Sequence, residues 1–244
     1  MLYLIFNQSI EENKIDIEFE EKTPAYRLEA ESGNIYPLDT PCGKVCIKIA
    51  GGGIAVVLFT NESLQAERNP DTLSQKLLAS IESFKAIRLN EFLIDETGII
   101  KKDFLNDEAV DVGYGRWEKL YGAEFSGEVL YSAGFKLDRK PEGEYCILDL
   151  GEVEYSASII LNGRNIGICG IKPNRLIFKS SILSENNALQ IIVSNTAANR
   201  IISTDIKQLW HDKYCGPYDV KTREFEKDNL DGGILNPVKI YEAV

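Results

Sequence analysis

Histidine is almost missing from this chain. One residue, His211, stands among 244, so a histidine-rich metal site cannot be assembled. Cysteine is scarce and odd in number: Cys42, Cys46, Cys146, Cys169 and Cys215. Such a set does not suggest a disulfide framework in a domain of this size. Cys42 and Cys46 lie four apart in a stretch that reads as extended chain. Residues so spaced are about 13 Å apart, too far to share one ion. Free thiols are therefore expected, with no metal and no cofactor. No apolar run approaches the length of a membrane span. The opening run Met1 to Phe6 is short and follows no basic residue, so it reads as a strand and not as a signal peptide. Positive charge is also in deficit. The 27 Lys and Arg face 38 Asp and Glu, for a net charge of −11. An acidic surface repels phosphate backbones and anionic lipid heads. That argues against nucleic acid and membrane partners and leaves neutral ligands such as sugars open. The expectation is a soluble protein, cytoplasmic or part of a longer chain.

Catalytic signatures are missing too. The chain holds no GxSxG, HExxH, P-loop or dinucleotide-binding fingerprint. Strands and helices do not alternate as they would in a catalytic barrel, which takes about 250 residues. His211 is near Cys215 in sequence, but nothing supplies the rest of a Cys–His site.

What is present is β patterning over a sufficient core. Apolar residues make up 44% and charged residues 27%, a balance that supports a folded interior and not global disorder. KIDIEFE and KVCIKIA alternate apolar and polar residues, as half-buried strands do. AYRLEAESGNIYPL reads as a hairpin turning at Ser32-Gly33-Asn34. Residues 1–62 form a small all-β unit. The stretch 63–84 changes character. Thr72 and Gln75 stand at capping-box spacing, and Leu73, Leu77, Ile81 and Phe84, joined by Leu78, fall on one helical face. This predicts a connecting helix. From residue 85 the chain returns to short strands separated by turn signals, with 96–127 reading as a long loop. That spacing argues for a sandwich or jelly roll.

Residues 144–202 carry a resemblance. Leu148 to Gly151, Leu161-Asn162-Gly163, Gly167, Pro173, Asn195-Thr196 and Asn199-Arg200 resemble the galactose-binding-like, sugar-binding domain of family 2 and family 106 glycoside hydrolases. Trp117 with the following FSGEVLYSAGF, and Gly232 to Val238, resemble the first and closing strands of that domain. Residues 1–62 resemble the small accessory β domain that follows the barrel in family 106 α-L-rhamnosidases. Asn174 departs from the pattern, which commonly has an aromatic there. The resemblance implies a mainly β fold: a galactose-binding-like jelly-roll β-sandwich over 85–244, preceded by the small β unit and the connecting helix.

Two functions follow. One is a non-catalytic, carbohydrate-binding-type module related to the C-terminal region of such hydrolases. Sugar sites set aromatic faces against sugar rings and polar groups against hydroxyls. The candidates are Trp210, His211, Asp212 and Tyr214 in one irregular stretch, and Trp117 and Tyr121 in another. The other is a structural module that docks on a catalytic glycosidase domain or partner chain, its tryptophans plugging the core. An exposed aromatic ridge favours the first. A large apolar patch with buried tryptophans favours the second.

Overall fold

The computed structural model describes residues 1–29, 33–40, 44–66, 73–203 and 232–244. Antiparallel β structure dominates it, as the patterning predicts. Residues 1–59 build two small sheets. One is ordered β1 (Leu2–Phe6), β6 (Ile54–Phe59), β3 (Ala25–Leu28), β4 (Ile35–Leu38). The other pairs β2 (Asn13–Glu18) with β5 (Lys44–Ile49). Alternation decides their inner faces: Val45, Ile47 and Ile49 of β5 meet Ala55, Val57 and Phe59 of β6 in one apolar cluster. Tyr3, Phe19 and Phe59 fill it with tilted and edge-on ring contacts 4.8 to 5.8 Å apart.

The larger unit is a β-sandwich. Its wide sheet runs β10 (Val110–Gly113), β8 (Ser83–Ile94), β11 (Gly127–Lys136), β17 (Asn186–Ser194), β14 (Ser156–Leu161), β15 (Arg164–Cys169), with β9 (Ile100–Phe104) also on β8. The facing sheet runs β16 (Arg175–Lys179), β12 (Tyr145–Asp149), β19 (Val238–Ala243), β7 (Gln75–Ile81). Val129 and Tyr131, Ile159 and Leu161, and Leu189, Ile191 and Val193 point inward from the wide sheet. Cys146, Leu148, Leu176, Phe178, Val238 and Ile240 answer from the other. A short β13 (Val153–Glu154) pairs with β18 (Gly233–Ile234).

The connecting helix is corrected. Gln75–Ile81 is a strand, paired antiparallel with β19 from Val238↔Ile81 to Ala243↔Gln75. Helical spacing of leucines is a weak prior that tertiary pairing overrides. A helix here would leave that edge of β19 without backbone partners, whereas β7 bonds it and places Ile81, Leu78 and Ala79 on the core. Gln75, expected in a capping box, opens the strand instead. The polar stretch 96–127 also holds more order than a loop. It contains β9, β10 and a one-turn helix α1 (Glu118–Tyr121). A second short helix, α2 (Ala198–Ser203), follows β17.

Candidate functional site

Of the six aromatic-site candidates, two fall on described residues. Trp210, His211, Asp212 and Tyr214 lie outside them. Trp117 is 1% exposed. Its indole lies against Gly232, where a β-carbon would collide with the ring. Its Nε1 donates to the Tyr131 hydroxyl at 2.5 Å, and its rings meet Phe125 edge-on at 5.3 Å. No face of the indole is open to a sugar ring. Tyr121 is half-buried against Phe125, 5.2 Å between centroids, with the Arg88 guanidinium 5.4 Å above its ring. Burial pushes its hydroxyl pKa up against the opposing pull of Arg88. Arg88 is held in turn by Asp107, Nε to Oδ2 at 2.5 Å. Burial raises the Tyr131 hydroxyl as well. This end of the sandwich is therefore a neutral aromatic plug clamped by one half-buried ion pair.

The resemblance-bearing motif is turn and brace. Asn162 (φ 51°) and Gly163 (φ 77°) form the left-handed tight turn between β14 and β15. The Asn162 side chain accepts from Ala188 N–H and donates to Ile182 C=O and Asn187 Oδ1. Asn195 accepts from Gly127 N–H at 2.8 Å and donates to Phe125 C=O at 3.0 Å. Asn199 donates to the same carbonyl, and Arg200 pairs with Glu91. Asn174 donates to Gly151 C=O, a backbone brace where an aromatic would make none. Each tie fixes a strand end or corner.

Two further surfaces were not singled out from the sequence. On the outward face of the wide sheet, Phe104 stands opposite Asn90, and Asn90 opposite Glu128. Glu128 accepts from Asn90 Nδ2 and Lys102 Nζ, each at 2.7 Å. Burial works against the Glu128 carboxylate, but these donors outweigh it and lower its pKa. Phe104 itself is 77% exposed. The second surface is apolar. Register places Leu2 beside Leu58, Leu4 beside Val56 and Phe6 beside Ile54. On β3 and β4 the same rows continue as Tyr26 and Pro37, Leu28 and Ile35. All lie on the face of the β1-β6-β3-β4 sheet turned away from its core. Leu2, Leu4, Phe6 and Ile54 are exposed, Leu4 by 67%. The alternation needed to find it is in the sequence. Which strand face stayed uncovered is not.

No family model matches the chain. Over 83 residues, 33% of this chain, it is 32% identical to a putative β-glucuronidase of Formosa agariphila, of which the match takes in 7%. In structure it superposes on a rhamnosidase from Novosphingobium sp. PP1Y with a TM-score of 0.70 and 18% identity, covering 98% of this chain and 22% of that one. In fold, this chain resembles one region of a glycoside hydrolase. A β-glucuronidase from Bifidobacterium dentium, complexed with coumarin-3-O-glucuronide, matches 70% of this chain and 30% of its own at a TM-score of 0.45 and 16% identity. The chain thus spans about a fifth of the rhamnosidase and less than a tenth of the β-glucuronidase of Formosa agariphila. Among its described residues no cluster of three or more His, Cys, Asp or Glu could hold a metal, and no helix is long and apolar enough to cross a membrane.

Proposed function

We propose that this chain is a non-catalytic module of a glycoside hydrolase whose main role is structural: it docks on the catalytic body. One observation carries the reading, the apolar outward face around Leu4, Phe6 and Ile54. A contiguous apolar patch on a sheet face marks an interaction surface, and the burial of Trp117 supports the same choice. The rhamnosidase likeness supports the partner, because a chain with this fold makes up 22% of that protein. An apolar dye tests the face. The native chain should enhance the fluorescence of anilinonaphthalene sulfonate. A Leu4→Glu/Phe6→Glu variant that still melts cooperatively should lose most of that signal. Unchanged dye binding would remove the face from the account.

A carbohydrate-binding role is the second reading, favoured by exposed Phe104 beside Lys102 and Glu128, with Asn90 buried behind Glu128. An open ring flanked by hydrogen-bonding groups is the chemistry that binds a sugar. Trp210 and Tyr214, with His211 and Asp212, are the candidates that the sequence offers for the same role.

A further inference from the structure

Every sheet has edges, and folded proteins blunt them with charge, proline or bulges. The edges here follow that rule. β4 carries Pro37, β10 carries Asp111, and β9 carries Lys101, Lys102 and Asp103. β15 carries Arg164, β16 Arg175 and Lys179, and β7 Lys76. β2 carries Lys14, Asp16 and Glu18, and β5 Lys44 and Lys48. Among the described edge strands of three residues or more, β1 alone has neither a charge nor a proline: it reads Leu-Tyr-Leu-Ile-Phe.

Its hydrogen-bonding pattern follows from the bonds at its two ends. Met1 and Phe59 exchange both backbone bonds, and Asn7 donates to Gly53. Odd-numbered residues therefore face β6. Strand alternation turns the N–H and C=O groups of Leu2, Leu4 and Phe6 to the open edge. Their side chains, each more than half exposed, flank that edge. We propose that two copies of this chain pair antiparallel along β1 about a twofold axis through Leu4. Leu4 then faces its own copy, and Leu2 faces Phe6 of the second copy. Every outward N–H and C=O finds a partner in this register, and apolar side chains meet apolar ones. The strand is its own complement, which suits an isologous contact. No charge on it repels its copy, although the chain as a whole carries −11. Pairing uses the backbone edge and docking the sheet face; the two share the side chains of Leu2, Leu4 and Phe6, and Ile54, which lies on the face alone, separates them.

A five-residue edge is small against the roughly 800 Å² per partner of a standard interface. The dimer is therefore weak. Sedimentation velocity of the full chain from about 1 to 500 μM should show a monomer–dimer equilibrium. Leu4→Lys places two ammonium groups on the twofold and should raise the Kd more than about tenfold. Ile54→Lys, on the face but off the edge, should leave it nearly unchanged. Paired residues of this hydrogen-bonded type have Cα atoms about 5.5 Å apart, within disulfide reach. Leu4→Cys should therefore form a cross-linked dimer on mild oxidation, beyond the background from Cys46 in the wild type. That arm decides the matter if Leu4→Lys fails to fold. A monomer at every concentration with no cross-link overturns the proposal. So does a dimer that Ile54→Lys abolishes while Leu4→Cys stays uncross-linked, since that is stacking of faces.

Discussion

At the scale of single residues, the interior polar groups are held for structure. Glu242 is 1% exposed and lies opposite Cys146 at the rim of the core. Burial works to raise its pKa. The Arg139 guanidinium and the N–H groups of Gly143 and Glu142 outweigh that and lower it. A folded-state pKa below the unfolded one contributes stability that is full above the unfolded value. It is lost as pH falls through the folded value. Acid unfolding should thus steepen below about pH 4.5, the ordinary carboxyl range. Glu242→Gln should flatten that limb while costing about 2 kcal/mol at neutral pH. Melting curves from pH 3 to 7 check it; parallel pH profiles for the two proteins would refute it. Burial drives the neighbouring Cys146 thiol up to about 12, so it should resist alkylation in the native state, whereas the exposed Cys46 should react. Trp117→Ala should cost about 3–5 kcal/mol, read as a drop in Tm.

At the scale of elements, the corner brace at Asn195 is the sharpest case. Removing its side chain strands a buried N–H on Gly127 and weakens the hold on Phe125 C=O. Asn195→Ala should cost about 1–3 kcal/mol, whereas Asn199→Ala, whose acceptor keeps Asn195 as donor, should cost less. Chemical denaturation of both variants orders them. The partners of Asn195 lie 68 and 70 residues away, but the Asn162-Gly163 turn was legible in the sequence, because turn chemistry is local. So were the alternating strands of the small unit. The strand at Gln75–Ile81 was not. Its leucines satisfy helical spacing as well as strand pairing, and the deciding partner, β19, lies over 150 residues away. β9 and β10 were missed because an exposed edge strand needs no apolar alternation; β9 is exposed throughout. Trp117 was placed in a polar loop that gave no sign of the glycine pair, Gly232 and Gly233, that receives its ring.

At the scale of the whole molecule, the docking role proposed above implies division of labour between this chain and a catalytic body. Hydrolysis of a glycosidic bond takes two carboxylates at a defined separation, and no motif in the sequence singles out such a pair. As the non-catalytic module proposed above, the isolated chain should not turn over aryl α-L-rhamnosides. Turnover that survives rigorous purification and is lost on changing one carboxylate would overturn that expectation. The claim that the module docks, and does not itself bind sugar, is tested most directly by a glycan array followed by titration calorimetry on the wild-type chain. The account predicts no saturable heat with any arrayed glycan. Saturable binding that weakens several-fold in Trp210→Ala or Phe104→Ala, with the cooperative melt intact, would contradict it.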